Sequence, residues 1–424
     1  MELHEAVVVG AGHAGLAASR ELSVAGVEHV VLERGRVAET WRSQRWDTFR
    51  LNTQNSVNIL PGDDGHLVLP PDEFQPGAEF ADRLTAYASG HRMPVVEHTV
   101  VRSIATDGDR YVVETAAPRA PADRPADRLA ARSVVIASGG QNVARMPPIA
   151  TALPPRVRQL AALDYRRAAD LPDGAVLVVG CGQTGAQVTE DLLDAGRRVY
   201  LVPSKVARCP RRHRGRDMLD WLFRGGVYDV PLAALPDPAL RFARQPLISG
   251  TGERGHTISL QLLAARGATL LGRIRAVDGE TLLLEDTVGE CIRFGDSGSA
   301  MFRRLADEAM VRMGVELTPL DEDPWDVPHP DPDGVHSPEA LDLARAGIGS
   351  VIWATGVRGD FTFLPADLLD ETGAPVHDGG VLPRPGLFVL GLPWLTRRAS
   401  GIVYGIGPDA ALIAGHVAAR AGAA

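Results

Sequence analysis

The chain has 424 residues, 45% of them hydrophobic and 23% charged, and a net charge of −9. That length accommodates two or three domains, and the acidic balance argues against a general affinity for nucleic acid or an anionic membrane. Three scattered cysteines, no Cys/His metal spacing, no charged-then-apolar leader and no bilayer-length apolar run predict a cytoplasmic chain without disulfide framework or metal.

Residues 5–9 (EAVVV) form an apolar run ending in glycines, the pattern of a buried parallel strand. Residues 13–25 carry alanine and leucine at helical spacing up to Gly26, a fitting C-terminal cap. A second strand, 29–34, completes a βαβ unit. Residues 98–116 alternate around a DG turn and predict an antiparallel hairpin. Residues 117–131, rich in Ala, Pro and charge, predict an exposed loop, and 133–140 a strand. Four prolines in 145–158 mark a crossing between domains. The βαβ pattern then returns as a strand at 175–182, a helix at 183–196 and a strand at 197–202. Beyond it, 206–250 reads as irregular with a helical piece around MLDWLFRGG, 258–286 as short strands, and 319–338 as a surface segment. Residues 351–356 and 387–393 predict two last strands, and 407–421 a helix with Pro408 in its first turn.

The repeated unit predicts an α/β fold of two Rossmann-like dinucleotide-binding domains with a small β-rich or irregular insertion. The expected boundaries assign 1–148 and 346–424 to one domain and 149–345 to the other, with a substrate-side insertion over about 206–340.

The first glycine run is Gly10-Ala11-Gly12-His13-Ala14-Gly15. Gly10 permits a tight turn, Gly12 lets the backbone approach a pyrophosphate, and Gly15 allows close helix–strand packing. The helix that starts at His13 and Ala14 presents free N–H groups to phosphate. Glu33, ending the next strand, offers a carboxylate to both hydroxyls of an adenosine ribose. A merely structural turn is the alternative, but it leaves the register of strand, helix and acid without a reason.

The second run is Gly180-Cys181-Gly182-Gln183-Thr184-Gly185. No acid follows it where Glu33 follows the first. Ser204, Lys205 (the only lysine of the chain) and Arg208 occupy that region instead. A carboxylate would repel a ribose 2′-phosphate, whereas hydroxyl, ammonium and guanidinium bind one, so the site is expected to take NADPH over NADH. Arg211 and Arg212 either join that phosphate site or are surface charge. Two dinucleotide sites suit an electron relay, in which nicotinamide delivers hydride to a second redox group. With no metal or disulfide to be that group, FAD is assigned to the first site.

The order GAGHAG, ER, TWRSQRWDTFRLNTQ, ASGG, GCGQTG and WATG resembles the flavin-containing monooxygenases, and the resemblance runs over nearly the whole chain. It implies that the segment after Glu33, from Arg34 through Trp41 and Arg42 to Thr53, embraces FAD. It also implies that Asn52 supports a peroxyflavin formed with oxygen, the alternative being a turn asparagine that caps its own backbone. Ser138-Gly139 and Thr355-Gly356 correspond to the family's crossings between domains, and Gly391 and Gly405 to its flavin-facing turns. Trp394 stands near the expected flavin face and either lines the substrate pocket or packs there. Trp221, Phe223 and Tyr228 are read as core rather than pocket, and neither His213 nor His256 is given a catalytic role. One departure stands out. Of the signature FxGxxxHxxx followed by an aromatic, only Tyr165 remains, with Pro155, Val157 and Ala161 at the other positions.

The implied activity is NADPH-dependent transfer of one oxygen atom from O2 to a small nitrogen or sulfur nucleophile. Two rivals stay open: an NADPH oxidase or flavin reductase that inserts no oxygen, and a non-catalytic FAD-binding redox sensor. The expected partners are a small-molecule substrate and O2, with a homodimer left open.

Overall fold

A computed structural model describes residues 2–63, 69–118, 127–237, 247–252 and 254–422. Two parallel sheets organise it. In the first, Leu3–Val9 lies between His29–Leu32 and Asp127–Ile136 and pairs parallel with both. Val95–Val96 extends the sheet beyond His29–Leu32, and Leu387–Val389 adds a further parallel pairing to Asp127–Ile136. The expected hairpin is present as Val100–Asp107 and Arg110–Ala116, turning at Gly108 and pairing antiparallel onto Asp127–Ile136. In the second sheet the order is Thr269–Leu270, Val199–Val202, Ala175–Val179, Ile348–Trp353 and Arg158–Ala161, all parallel.

The strands form where the sequence is continuously apolar, as parallel strands buried on both faces require. Val7, Val8, Val176 and Val178 are fully buried. Helices His13–Val24 and Gln183–Asp194 follow the central strand of each sheet, and the first packs against the last helix, Ile406–Gly422. Their inward residues include Leu16, Leu22 and Leu192, all fully buried; each such side chain contributes about 1.5–3 kcal/mol.

Four expectations need correction. Residues 127–131 begin the strand Asp127–Ile136 rather than a loop, while 119–126 of that segment lie outside the described residues, as do 238–246 of the irregular stretch. Leu260–Ala265 is a short helix, capped by Ser259 Oγ accepting from Leu262 N, where strands were expected. Ile348–Trp353 belongs to the second sheet, so the chain returns to the first sheet after residue 353, not at 346. Finally, the 25-residue helix Val288–Arg312 was not anticipated. Three glycines within it conceal its propensity, and Gly298 has a packing reason: a Cβ there would stand 2.7 Å from that of Ala207.

The two crossings between sheets run side by side. Val143–Ala144 pairs antiparallel with Val357–Arg358, directly after Ser138-Gly139 and Thr355-Gly356 respectively. Asn142 fastens them: its Nδ2 donates to Ser138 O, its Oδ1 accepts from Asp360 N and its own N–H donates to Arg358 O.

Candidate dinucleotide sites and the seam between them

Each glycine-rich turn sits between the middle strand of its sheet and the helix that follows. Gly10 adopts φ 105° and Gly180 φ 100°, the left-handed region that favours glycine. A Cβ on Gly10 would stand 2.6 Å from Ala137 O, and one on Gly180 2.4 Å from Ala354 O. Gly15 and Gly185 let the helix close onto the turn, since a Cβ would lie 1.8 Å from Gly10 O and 2.0 Å from Gly180 O. Gly12 is different, because a Cβ there meets nothing within 4 Å. The protein itself therefore does not require glycine at 12, but a ligand approaching the backbone does.

Two buried polar atoms beside that opening have no hydrogen-bond partner among the described residues, His13 Nε2 and Ser138 Oγ. Burial pushes the His13 imidazole down to about 4, against a hydrogen bond to Gly401 that acts the other way. Glu33 is buried, with Oε2 accepting from Ala11 N at 2.7 Å and Oε1 from Gly35 N at 2.9 Å. Burial raises its pKa and these two hydrogen bonds partly offset the rise. The open wall at Gly12, the orphaned polar atoms and a carboxylate folded against the turn fit a dinucleotide. Gly391, with φ 81°, sits where a Cβ would come within 2.7 Å of Ala14's, so the last strand abuts the helix start. Gly405 lies at the head of the last helix, where a Cβ would meet Ala399 O.

The segment after Glu33 departs from expectation in detail. Arg34 is exposed. Trp41 packs edge-on against Phe80 at 5.0 Å. The Arg42 guanidinium is held by Asp82 at 2.9 Å and Thr85 at 3.0 Å. Arg45 was not singled out, yet its guanidinium lies 5.1 Å from the Trp41 ring with no carboxylate partner among the described residues. Burial and the neighbouring Arg166 bring its pKa down to about 10. The Thr53 hydroxyl is used locally, donating to Asn58 Oδ1 at 2.6 Å.

At the second turn Ser204 and Lys205 are exposed beyond the strand end, and Lys205 pairs with Glu290 at 2.5 Å. Gly182 and Thr184 are half-buried at the head of the helix. Arg208 does not join them. It is 2% exposed, with its guanidinium on Asp296 at 2.5 Å and on Asp326 at 2.8 Å. The expectation that it binds a 2′-phosphate is therefore corrected, because two carboxylates already neutralise it. Arg211 is also interior, paired with Asp217 at 2.6 Å and stacked 4.0 Å from the Phe74 ring.

The seam holds Asn52. Its Oδ1 accepts from Gln183 Nε2 at 2.9 Å and from Gln187 Nε2 at 3.0 Å, both on the second-site helix. Its backbone carbonyl accepts from Arg211 Nη2 at 3.0 Å. Gln183 and Gln187 also share Ser249 O. Gln187 was missed, although its place one helical turn beyond Gln183 was a readable signal. Tyr165, the surviving signature residue, donates to Asp191 Oδ2 at 2.5 Å, and Thr48 donates to Oδ1 of the same carboxylate. Ala161 ends the edge strand of the second sheet, paired with Trp353. His213 and His256 pair with Asp307 and Glu190. Trp221, Phe223 and Tyr228 pack as expected, Phe223 lying 4.4 Å from Tyr228. Trp394 is half-buried with φ 56°, a conformation that costs a bulky residue energy. Among the described residues no helix is long and apolar enough to cross a membrane.

Residues 7–215 match the model of the pyridine nucleotide-disulphide oxidoreductases. An uncharacterized CzcO-like oxidoreductase of Geobacillus kaustophilus is 26% identical over 96% of both chains. Indole-3-pyruvate monooxygenase YUCCA4 of rice is 32% identical, over 46% of each. The flavin-containing monooxygenase of Stenotrophomonas maltophilia superposes with a TM-score of 0.65 at 18% identity, covering 99% of this chain and all of its own. That is the fold the motif order led us to expect. Residues 7–215, just under half of the chain, thus resemble the pyridine nucleotide-disulphide oxidoreductases, and over its whole length the chain shares the fold of a flavin-containing monooxygenase.

Proposed function

We propose that the chain is a monooxygenase with FAD at the Gly10–Gly15 turn and NADPH at the Gly180–Gly185 turn, acting on a small nitrogen or sulfur nucleophile. The observation that carries this reading is the clamp on Asn52. Two amide donors hold its Oδ1, which leaves Nδ2 to serve as a donor at the seam between the two turns. Bound FAD, once reduced by NADPH, supplies the centre at which O2 is activated. The chain's own part is to bind, orient and exclude water. Gly12 leaves room for the pyrophosphate, Glu33 faces the adenosine ribose, and Ser204 and Lys205 face the 2′-phosphate. Asn52 holds a hydrogen-bond donor where activated oxygen and nicotinamide meet. A soft nucleophile needs little acid–base help from the chain.

Thiol chemistry of the kind in the family's name fits poorly. Cys181, Cys209 and Cys291 are all buried and free. Burial pushes their pKa values up to about 12, 12 and 11, so the reactive thiolate is suppressed. A second reading, NADPH oxidase without oxygen transfer, is favoured by Ala161 standing at the signature histidine position. One experiment separates the two. Amines, thiols, sulfides and ketones are screened for stimulated NADPH oxidation under labelled dioxygen. One labelled oxygen atom in a product supports monooxygenation; stoichiometric hydrogen peroxide with every substrate replaces it with the oxidase.

A further inference from the structure

Arg211, in the basic run at 208–216, is not surface charge. It is fully buried, and each nitrogen of its guanidinium faces a partner. Nε lies 2.6 Å from Asp217 Oδ2, Nη1 donates to Ser249 Oγ at 3.0 Å and Nη2 to the Asn52 carbonyl at 3.0 Å. The side chain has little room to move. Its guanidinium lies 4.0 Å from the centre of the Phe74 ring, and a Cβ on Gly255 would stand 2.7 Å from its Cγ. At the main chain, Arg211 N donates to Thr257 Oγ1 at 2.9 Å and the carbonyl accepts from Met218 N at 2.9 Å. Asp217 is held in turn, because its Oδ1 accepts from Leu219 N at 2.8 Å and caps the helix Met218–Arg224.

These bonds close a ring around Asn52. Arg211 holds the Asn52 carbonyl and the Ser249 hydroxyl, while Gln183 and Gln187 hold Asn52 Oδ1 and the Ser249 carbonyl. The glutamines fix only the tip of the Asn52 side chain. An amide held at its oxygen alone still swings when the main chain beneath it slips, and Nδ2 swings with it. Holding the carbonyl as well removes that freedom. A guanidinium suits the task because its rigid fork aims separate donors at Asp217, Ser249 and Asn52, whereas an ammonium is a point charge on a flexible stem. We infer that Arg211 is a positioning residue, which sets the direction of the Asn52 amide by tying the Asn52 main chain to the segment that carries Asp217 and Ser249. The inference rests on the reading of Asn52 as the donor at the seam where nicotinamide and activated oxygen meet. At such a place a misplacement of about 1 Å costs on the order of a hundredfold in rate.

Two measurements on the full FAD-loaded chain test it. The first needs no turnover. Asparagine occurs only at 52, 55, 58 and 142, so labelling its side-chain amide with nitrogen-15 gives a spectrum simple enough for Asn52→Ala to identify the Asn52 signal. Arg211→Lys keeps a cation beside Asp217 but lacks the fork. In it the Asn52 signal should broaden or vanish while those of Asn55, Asn58 and Asn142 stay in place. The second measurement is anaerobic reduction of FAD by NADPH, which does not depend on what oxygen does afterwards. Arg211→Lys should lower the limiting rate at least about tenfold and leave the NADPH concentration for half the limiting rate within about twofold. Asn52→Ala should also be slow, and the double variant no slower than Asn52→Ala, because residues that act as one unit are not additive. Should Arg211→Lys not retain flavin, Arg211→Met with Asp217→Asn carries the same predictions, since it strands no buried charge. An unchanged Asn52 signal, a shift of all four signals, rate losses that multiply, or loss of flavin from both Arg211 variants overturns the inference. If Asn52→Ala reduces FAD as fast as the wild type, the reading of Asn52 falls and the inference with it. If Asn52→Ala is slow and Arg211→Lys is not, the inference falls alone.

Discussion

The two glycine-rich turns share one backbone and differ in chemistry at the same places. Their first glycines have φ values within a few degrees of each other, and their last glycines make the same close approach. At the middle residue, Ala11 N donates to Glu33 at the first turn, whereas Cys181 Sγ accepts from Ser204 N at 3.2 Å at the second. A thiol thus ties the second strand end where a carboxylate ties the first, and the ribose end loses its negative charge. One residue past the second glycine, half-buried His13 leaves its buried Nε2 unpartnered, while Gln183 reaches across the seam to Asn52. The backbone gives both turns one shape; the side chains around them differ, and only at the second turn does one reach across to Asn52.

The sharpest way to break that comparison is at the glycines. Gly12→Val should fold and lose its flavin, since open space receives the side chain but the pyrophosphate needs it. Flavin content is expected to fall by at least about tenfold, with circular dichroism unchanged. Gly15→Val should lose both, because its Cβ would overlap Gly10 O. Equal flavin content in Gly12→Val and wild type would remove the first turn as a cofactor site.

The next largest effect is expected at the second strand end. Ser204→Asp with Lys205→Glu restores the acidic character of the first site. A charge-assisted hydrogen bond contributes about 1.5–3 kcal/mol, so the preference for NADPH over NADH should fall by roughly ten- to a hundredfold. The ratio of the two kcat/KM values measures it. Parallel loss for both nucleotides would mean that these residues shape the loop rather than read the phosphate.

Much of this was legible in the sequence, and unevenly so. Both βαβ units, the hairpin and the last helix were readable because apolar runs and glycines have local causes. Ile348–Trp353 is as plain a strand as any, but which sheet it joins depends on Ala175–Val179, far away in the chain. Arg208 looked like a phosphate ligand because a guanidinium reads the same whether free or neutralised; only Asp296 and Asp326, distant in sequence, decide it. Helix Val288–Arg312 was hidden by its glycines, one of which, Gly298, is required by the neighbouring strand at Ala207.

The contrast between His13 and Gln183 predicts an asymmetric response to acid. His13 titrates near 6.5 when unfolded and at about 4 when folded. Between those values the unfolded chain binds a proton that the folded chain does not, so folded-state stability is full above pH 6.5 and declines as pH falls towards 4. Thermal melts from pH 7 to 4 should show this decline, and His13→Gln, which puts the second turn's residue into the first, should flatten it. A variant whose melting temperature falls with pH as steeply as the wild type would place the acid sensitivity elsewhere.

The smallest effect is expected at Gln187. Gln187→Leu removes one of the two donors on Asn52 Oδ1 and leaves Gln183 at 2.9 Å, so Asn52 keeps its place but turns more freely. A net hydrogen bond contributes about 0.5–1.5 kcal/mol, and hydrogen peroxide released per NADPH consumed should rise about two- to tenfold. The KM for NADPH should hardly change, because the side chain faces Asn52 and Ser249 rather than the strand end at Ser204. Gln187→Glu is the stricter variant. A carboxylate accepts but does not donate, so it would repel Oδ1 and favour the flipped amide, with Nδ2 turned towards the helix. If amide orientation at the seam matters, Glu should leak more peroxide than Leu; if Gln187 only fills space, the larger shape change of Leu should do the greater harm.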